Sequence, residues 1–177
     1  MEAFSLRKSK PWSQSWGADV SESLYLLPGA LYVGNEVKEV KTLLGSCVAV
    51  TLWHPEDKVC AMTHIVLPSS KTDSHNPKFA TGAIHHLSNV LNRYAYQPKD
   101  FVTRVYGGGQ MFGHDEEPNK VIDIGNTNVR KTLTLLKEAG FRTRDKDTQG
   151  RIYRHVVLDR ESGAVTVKRT RISATMG

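Results

Sequence analysis

Two neighbouring apolar segments of the chain each carry one side chain suited to nucleophilic catalysis. Cys47 lies in the segment Thr42–Trp53, and His64 lies in the segment Val59–Leu67. A thiol is a useful nucleophile because some thiolate exists near neutral pH, and a neighbouring imidazole can increase that fraction. Both segments are rich in β-branched residues, which favour strands, and the Pro and Asp within His54–Asp57 favour a tight turn between them. The sequence therefore predicts a β-hairpin that carries a Cys–His pair.

The predicted turn determines which residues face each other across the hairpin. With a four-residue loop at His54–Asp57, counting back along both strands makes His64 the direct partner of Cys47. Directly opposed residues of an antiparallel pair project from one face, with Cβ atoms roughly 4.5–5.5 Å apart. We therefore predict that Cys47 is a nucleophile and that His64 is its acid/base. Cys60 lies much nearer the turn, too far along the strand for a disulfide with Cys47.

A cysteine in an apolar strand is more often a small buried hydrophobic residue than a nucleophile. Two features favour the catalytic interpretation for Cys47. Gly45 and Ser46 leave the backbone before it open to a substrate, and His64 reaches it through strand register. Gly45 and Ser46 are thus candidate substrate or oxyanion residues, because backbone N–H groups near Ser46 and Cys47 can donate to an oxyanion. Cys60 has no facing imidazole, and we expect it to be a core residue.

A second glycine cluster follows the predicted strand at residues 101–106. One interpretation is a loop that lets a substrate backbone pass close by, and the other is a tight turn at the strand end. The spacing is not that of a dinucleotide-binding loop, and polar residues rather than a helix follow it. Both interpretations stay open. On the first of them, three more residues are candidate substrate or oxyanion residues: Gly107, Gly108 and Gly109.

The remaining elements define the fold class. Apolar residues recur at helical spacing from Phe79 to Tyr94, and a second helix is predicted from about Asn128 to Ala139. Further strands are predicted at residues 30–33, 101–106, 121–124, 152–158 and 164–168. Strands outnumber helices and are mostly joined by hairpins. The sequence therefore predicts an α+β fold or layered α/β sandwich, a single domain with a largely antiparallel sheet and two main helices.

Domain boundaries follow from the distribution of apolar residues. Residues 1–23 are polar apart from Trp12 and Trp16, and they are predicted to form a flexible N-terminal arm. Residues 24–172 are predicted to form one catalytic domain, and residues 173–177 a C-terminal tail.

Composition limits the compartment, the cofactors and the partners. Two cysteines are too few for a disulfide scaffold, and neither a signal peptide nor an apolar stretch of about 18 residues is present, so we expect a cytoplasmic protein without membrane insertion. His85 and His86 are adjacent on a predicted helix without further ligands at suitable spacing, so neither a metal nor a cofactor is predicted. The net charge of +6 favours an acidic partner. Because no nucleic-acid-binding motif accompanies that charge, a basic nucleic-acid-binding domain is the less favoured alternative.

Several motifs together resemble the CheD family, the chemoreceptor glutamine deamidases of bacterial chemotaxis. They follow that family's order and spacing from about Leu24 to Arg169, and they are PGALYV at 28–33, LGSCVAV at 44–50, AMTHIVLP at 61–68, YGGGQMF at 106–112, IGNTN at 124–128 and SGAVTVK at 162–168. The resemblance implies a layered α/β sandwich whose catalytic cysteine and histidine are Cys47 and His64. It implies a protein-glutamine glutaminase, an amidohydrolase that converts glutamine side chains of chemoreceptor cytoplasmic helices to glutamate.

The resemblance also implies methylesterase activity on the same side chains and contact with a CheC-type phosphatase. A non-catalytic chemotaxis adaptor, which binds receptor or phosphatase through the same surface, stays as the alternative. A deamidase would need Cys47 for its activity, whereas a non-catalytic adaptor would not.

One position departs from the family pattern. The family's third catalytic residue is a threonine six positions before the cysteine, whereas Lys41 occupies that position here and the nearest threonine is Thr42. We take Thr42 as the candidate. A one-residue step along a regular strand turns a side chain to the opposite face, so Thr42 can orient His64 only if the backbone bulges or the strand pairing differs from the predicted one.

Overall fold

The computed structural model describes residues 23–111 and 123–173. The predicted N-terminal arm with Trp12 and Trp16, the first half of the predicted strand at 121–124, and nearly all of the predicted C-terminal tail lie outside these residues. The elements in chain order are β1 (Ser23–Tyr25), β2 (Leu31–Gly34), β3 (Glu39–Leu44), β4 (Val48–Trp53), β5 (Cys60–Thr63), α1 (Ala80–Arg93), a short 3₁₀ turn (Pro98–Asp100), β6 (Val102–Gly107), α2 (Ile124–Glu138), β7 (Thr143–Thr148), β8 (Ile152–Asp159) and β9 (Val165–Arg171).

The strands form two sheets, which we call the outer sheet and the central sheet. The outer sheet has the order β1-β3-β8-β9, and the central sheet has the order β2-β5-β4-β6-β7. The β1–β3 and β6–β7 pairs are parallel, and the other pairs are antiparallel. Both helices pack against the face of the central sheet that points away from the outer sheet. This three-layer arrangement confirms the predicted layered α/β sandwich with a largely antiparallel sheet and two main helices.

The side-chain alternation of β4 connects the three layers. Val48, Val50 and Leu52 point toward the helices and belong to the apolar cluster that contains the buried faces of α1 and α2. Ala49 points the other way, into a second cluster between the two sheets. Because successive strand residues project to opposite faces, one strand thereby contributes to both cores. Within the described residues, neither helix is long and apolar enough to span a membrane.

The segment Thr42–Trp53 is not the single strand that its composition predicts. Its first part belongs to β3 in the outer sheet, and its second part is β4 in the central sheet. The linking residues Gly45–Cys47 form no strand ladder, because their carbonyl groups accept hydrogen bonds from other parts of the chain. Gly45, which has no Cβ atom, and Ser46, which has a small side chain, let the chain bend from one sheet to the other at this point.

The hairpin register also differs from the prediction. The observed pairs are Trp53 with Cys60 and Val48 with Ile65, a shift of two residues along the returning strand. The reason is that His54 still pairs with the returning strand, since its N–H donates to the Val59 carbonyl at 2.8 Å, so the loop starts one residue later. The prediction that Cys47 and His64 are directly opposed is therefore wrong. A two-residue shift nevertheless leaves both on the same face of the sheet.

Two smaller predictions need correction, and one observed strand was not predicted. Helix α2 begins at Ile124, earlier than predicted, because Asp123 caps it: the Asn126 N–H donates to Asp123 Oδ1 at 3.0 Å. Ile124 is thus helical and not the end of a strand. Strand β7 was not expected because its sequence is highly charged. It lies at an edge of the central sheet and pairs only with β6, so its charged side chains can remain in solvent.

Candidate active site

The three residues predicted to be catalytic come from three different places in the sandwich. Thr42 lies on β3 of the outer sheet, His64 directly follows β5 of the central sheet, and Cys47 directly precedes β4. Thr42 and His64 are buried, and Cys47 is partly exposed. The candidate site therefore lies between the two sheets, where the chain crosses from one to the other.

The Thr42 hydroxyl contacts the His64 ring directly. Thr42 Oγ1 lies 2.7 Å from His64 Nδ1 and 2.8 Å from the Leu26 carbonyl oxygen. A hydroxyl has a single proton, and a carbonyl oxygen can only accept, so Thr42 donates to Leu26 and accepts from Nδ1–H of His64. This assigns the neutral His64 to the tautomer with a proton on Nδ1. Its Nε2 atom is consequently able to accept a proton.

The backbone of His64 is held by the segment that joins β1 to β2. The His64 N–H donates to the Ala30 carbonyl at 3.0 Å, and the Gly29 N–H donates to the His64 carbonyl at 2.9 Å. Gly29 has a φ of +81°, a conformation that glycine adopts without strain. The same segment contributes the Leu26 carbonyl that binds Thr42, so it orients the His64 ring and the His64 backbone together.

Cys47 and His64 are diagonal neighbours on the face of the central sheet that points toward the outer sheet. Val48 and Ile65, the residues that follow them, form a reciprocal pair of backbone hydrogen bonds of 2.9 and 2.8 Å. In a regular antiparallel ladder, diagonal neighbours have Cα atoms about 7–8 Å apart, within reach of long and aromatic side chains. The ladder opens beside them, since the Val50 N–H donates to the Thr63 hydroxyl at 2.9 Å. The geometry thus brings an imidazole and a thiol to one face.

Burial shifts the pKa values of Cys47 and His64 in opposite directions. Desolvation raises the pKa of the Cys47 thiol and lowers the pKa of His64, although the Leu26 carbonyl partly offsets the effect on the imidazole. Both shifts favour the uncharged form. At neutral pH the resting pair is therefore a thiol and a neutral imidazole, and the imidazole can act as a general base toward the thiol.

The second cysteine is buried in the cluster between the two sheets, as predicted for a core residue. Burial raises the pKa of Cys60 to about 12. Its thiol is thus protonated and inaccessible, and both cysteines are free thiols.

Three glycines at the end of β6 and directly after it, Gly107–Gly109, support the loop that contains Cys47. The Gly108 N–H donates to the Cys47 carbonyl and the Gly109 N–H donates to the Gly45 carbonyl, both at 2.8 Å. All three glycines are buried. A Cβ atom on Gly107 would lie 2.1 Å from the Cys47 carbonyl oxygen. The N–H groups of Gly108 and Gly109 are thus engaged with the loop, which favours a supporting role over an approach path for substrate.

We expect Gly107→Ala to destabilise the fold by at least about 3 kcal/mol, because it combines backbone strain at positive φ with a backbone clash. Gly150→Ala is the matched control. Gly150 also has a positive φ of +75°, but the nearest atom to its Cβ would be 3.5 Å away, so only strain of about 1–2 kcal/mol is expected. Urea denaturation of the two variants checks the difference. Equal losses of stability would show that the contact with Cys47 is dispensable.

Sequence reasoning missed the contribution of Asn128. This residue is fully buried on α2, and its Nδ2 donates to the Ser46 carbonyl at 3.1 Å and to the Val66 carbonyl at 2.9 Å. It therefore joins the residue before Cys47 to the second residue after His64. The available signal was its helical spacing, since Asn128 shares a face of α2 with the buried Thr132 and Leu136. A polar residue on a buried helix face needs a partner.

Comparisons with known proteins show to which family the chain is similar. A family model described as CheD chemotactic sensory transduction matches residues 66–169. A protein of Methanococcus vannielii named "Probable chemoreceptor glutamine deamidase CheD" is 34% identical over 143 residues, which cover 80% of this chain and 91% of that protein. A protein of the same name from Pseudomonas syringae pv. tomato is 27% identical, covering 86% of this chain and 92% of its own. A third protein, from Albidiferax ferrireducens and named "Probable chemoreceptor glutamine deamidase CheD 2", is 30% identical over 80% of this chain and 84% of that protein.

The family model spans more than half of the chain, and the relative from Methanococcus vannielii is aligned over most of both proteins. The match to the family model covers Gly107–Gly109, Asn128, strand β8 and most of strand β9. The chain therefore belongs to the CheD family.

Proposed function

We propose that this protein deamidates glutamine side chains of chemoreceptors to glutamate, with Cys47 as nucleophile and His64 as its acid/base. The observation that carries the proposal is the contact of Thr42 with His64 Nδ1, which leaves Nε2 unprotonated on the face that Cys47 shares. The names of the relatives, chemoreceptor glutamine deamidases, supply the reaction and the substrate class. Glutamine side chains on receptor cytoplasmic helices are the proposed substrates.

The first half of the reaction forms a thioester. The Cys47 sulfur attacks the carbonyl carbon of the glutamine side chain while His64 Nε2 takes the thiol proton. The carbonyl π electrons move to the oxygen, and the resulting oxyanion accepts hydrogen bonds from backbone N–H groups near Ser46 and Cys47. The protonated His64 then donates to the amide nitrogen, the carbon–nitrogen bond breaks and ammonia leaves. The acyl group remains on the Cys47 sulfur.

The second half releases the product by the same proton transfers. The neutral His64 removes a proton from water, and the hydroxide attacks the thioester carbonyl. The carbon–sulfur bond breaks and the Cys47 sulfur recovers its proton from His64. The carboxylic acid that is released loses its own proton to solvent, so the product is a glutamate side chain with one additional negative charge. A methyl ester of glutamate presents the same carbonyl with methanol as leaving group, so methylesterase activity is part of the proposal.

The direct test is mass spectrometry of a chemoreceptor cytoplasmic fragment after incubation with the protein. We expect conversion of specific glutamines to glutamates, resolved by peptide mapping. A fragment that carries methylated glutamates tests the esterase reaction in the same experiment. A fragment that correctly folded protein binds but leaves unchanged would favour a non-catalytic adaptor. The proposal also includes cytoplasmic localisation and contact with a CheC-type phosphatase. Co-purification of the protein with such a phosphatase checks the contact.

We expect Thr42→Val to lower kcat by about 10²-fold, because the ring of His64 loses the acceptor that sets its tautomer and orientation. Thr42→Ser keeps the hydroxyl and should retain most of the activity. Thr51→Val is the matched control: Thr51 is equally buried, and its Oγ1 has no hydrogen-bond partner among the described residues. Activity assays at saturating substrate measure the effect. Wild-type kcat in Thr42→Val would show that the hydroxyl has no part in catalysis.

A further inference from the structure

The loop that contains Cys47 has three successive carbonyl groups bound from inside the protein. The Gly45 carbonyl accepts from the Gly109 N–H at 2.8 Å, and the Cys47 carbonyl accepts from the Gly108 N–H at 2.8 Å. Between them, the Ser46 carbonyl accepts from Asn128 Nδ2 at 3.1 Å. The central peptide unit of the loop is thus held by a side chain, whereas its two neighbours are held by backbone groups.

These contacts determine where the N–H groups of the loop point. In a trans peptide the carbonyl of one residue and the N–H of the next point in opposite directions, and the described residues contain no cis peptide bond. The hydrogen bond to the Gly45 carbonyl therefore turns the Ser46 N–H away from Gly109, and the bond to the Ser46 carbonyl turns the Cys47 N–H away from Asn128. Neither N–H donates to a backbone carbonyl among the described residues.

The orientation of the Asn128 amide is determined by its surroundings. Both protons on Nδ2 are used, one for the Ser46 carbonyl and one for the Val66 carbonyl, while Oδ1 is buried with no partner among the described residues. Turning the amide over would place Oδ1 against two carbonyl oxygens, which cannot donate. Asn128 is therefore held as a double donor, with its unpartnered oxygen on the opposite side.

We propose that Asn128 is a positioning residue for the oxyanion: by holding the Ser46 carbonyl, it aims the Cys47 N–H at the negative oxygen that forms when the Cys47 sulfur attacks a carbonyl. This inference rests on the proposed function of Cys47 as nucleophile. Preorganised donors stabilise an oxyanion without reorganising during the reaction, and loss of one such donor costs about 10²–10³-fold in rate. Asn128 does not touch the substrate, and its loss leaves the donor present but misaimed, so a smaller effect is expected.

Two reagents separate this role from a general structural one. p-Nitrophenyl acetate transfers its acetyl group to the Cys47 sulfur through a tetrahedral oxyanion and releases p-nitrophenolate. Iodoacetamide alkylates the same sulfur by displacing iodide, and no oxyanion forms. Both reactions need the thiolate, but only the acylation needs the oxyanion donors. The ratio of the two rate constants in the full chain therefore reports on the donors alone.

We expect Asn128→Leu to slow acylation by at least about 10-fold while the alkylation rate stays within about twofold of wild type. Thr132→Val is the matched control, one turn later on the buried face of α2, with an Oγ1 that has no partner among the described residues. It should change neither rate. If the circular dichroism spectrum shows that Asn128→Leu does not fold like wild type, the ratio of acylation to alkylation rate constants is measured on Asn128→Asp, which retains the side-chain shape.

Each remaining outcome contradicts the inference. If acylation and alkylation fall together, Asn128 acts through the arrangement of Cys47 and His64 and not through the oxyanion donors. If neither rate changes, the contact with the Ser46 carbonyl has no catalytic consequence. The proposed deamidation is tested separately on the receptor fragment. If p-nitrophenyl acetate acylates the wild-type protein normally but every receptor glutamine stays unchanged, the proposed deamidation is contradicted and the positioning role of Asn128 is not.

Discussion

We expect Cys47→Ala to abolish conversion of receptor glutamines, with kcat/KM at least about 10⁴-fold below wild type. The reason is that the covalent route disappears when the sulfur is removed, and the other thiol of the chain, Cys60, is fully buried between the sheets. Cys60→Ala is the matched control, because Cys60 is fully buried and burial raises its pKa to about 12. This variant should lose some stability and keep its activity. Mass spectrometry of a receptor fragment over time provides the measurement.

Chemical labelling gives an independent check on the same assignment. Iodoacetamide should modify Cys47 in the folded protein and leave Cys60 unmodified until the chain is denatured, because only Cys47 is partly exposed. Activity should fall in proportion to the fraction of Cys47 that is labelled. A folded Cys47→Ala variant that still deamidates, or a Cys60→Ala variant that is folded and inactive, would show that the nucleophile is misassigned.

We expect His64→Gln to lower kcat/KM by about 10²–10⁴-fold, the range that general acid–base catalysis contributes. Glutamine keeps a hydrogen-bonding side chain but cannot take the thiol proton or protonate the leaving ammonia. His155→Gln is a matched control, because His155 lies on β8 of the outer sheet, directly paired with Leu43. It should leave the activity unchanged. Steady-state kinetics on a glutamine-containing receptor peptide checks both variants.

The pH dependence gives the same prediction a second readout. Burial lowers the pKa of His64, so wild-type kcat/KM should stay level down to below about pH 6.5 and fall as further acid protonates the imidazole. In His64→Gln that acidic limb should disappear. The residual activity should instead rise with pH as the Cys47 thiol ionises, and because burial raises the pKa of that thiol, the rise should continue into the alkaline range. An unchanged acidic limb in the variant would assign it to a group other than His64.

The hairpin shows why the shared face of Cys47 and His64 could be predicted although their pairing could not. Side chains alternate along a strand, so Cys47 and His64 share a face whenever the register shifts by an even number of residues. The register itself depends on where the loop begins. That is decided by His54, whose ring packs against Phe101 and Tyr96 and accepts from the Asp57 N–H at 3.1 Å. These partners are distant in the chain or specific to the loop conformation, and periodicity contains no information on them.

The position of Thr42 shows a different limit. On one continuous strand, Thr42 would point away from the face that carries Cys47, and for that reason its role could not be derived from the residues alone. The chain instead crosses between sheets at Gly45–Cys47, which places Thr42 on the outer sheet, opposite His64. The bend is stabilised by hydrogen bonds from Gly108, Gly109 and Asn128 to the loop carbonyls. None of these contacts leaves a periodic signal near Thr42.

The sequence by itself determined the fold class, the two main helices, the shared face of Cys47 and His64, and the core position of Cys60. These follow from local chemistry, namely apolar periodicity, β-branched composition, turn residues and the spacing of family motifs. Only the tertiary structure decided the break between β3 and β4, the hairpin register, the contact of Thr42 with His64 and the hydrogen bonds of Asn128. Those features depend on hydrogen bonds between residues far apart in the chain, and such bonds form only after both sheets and α2 have packed together.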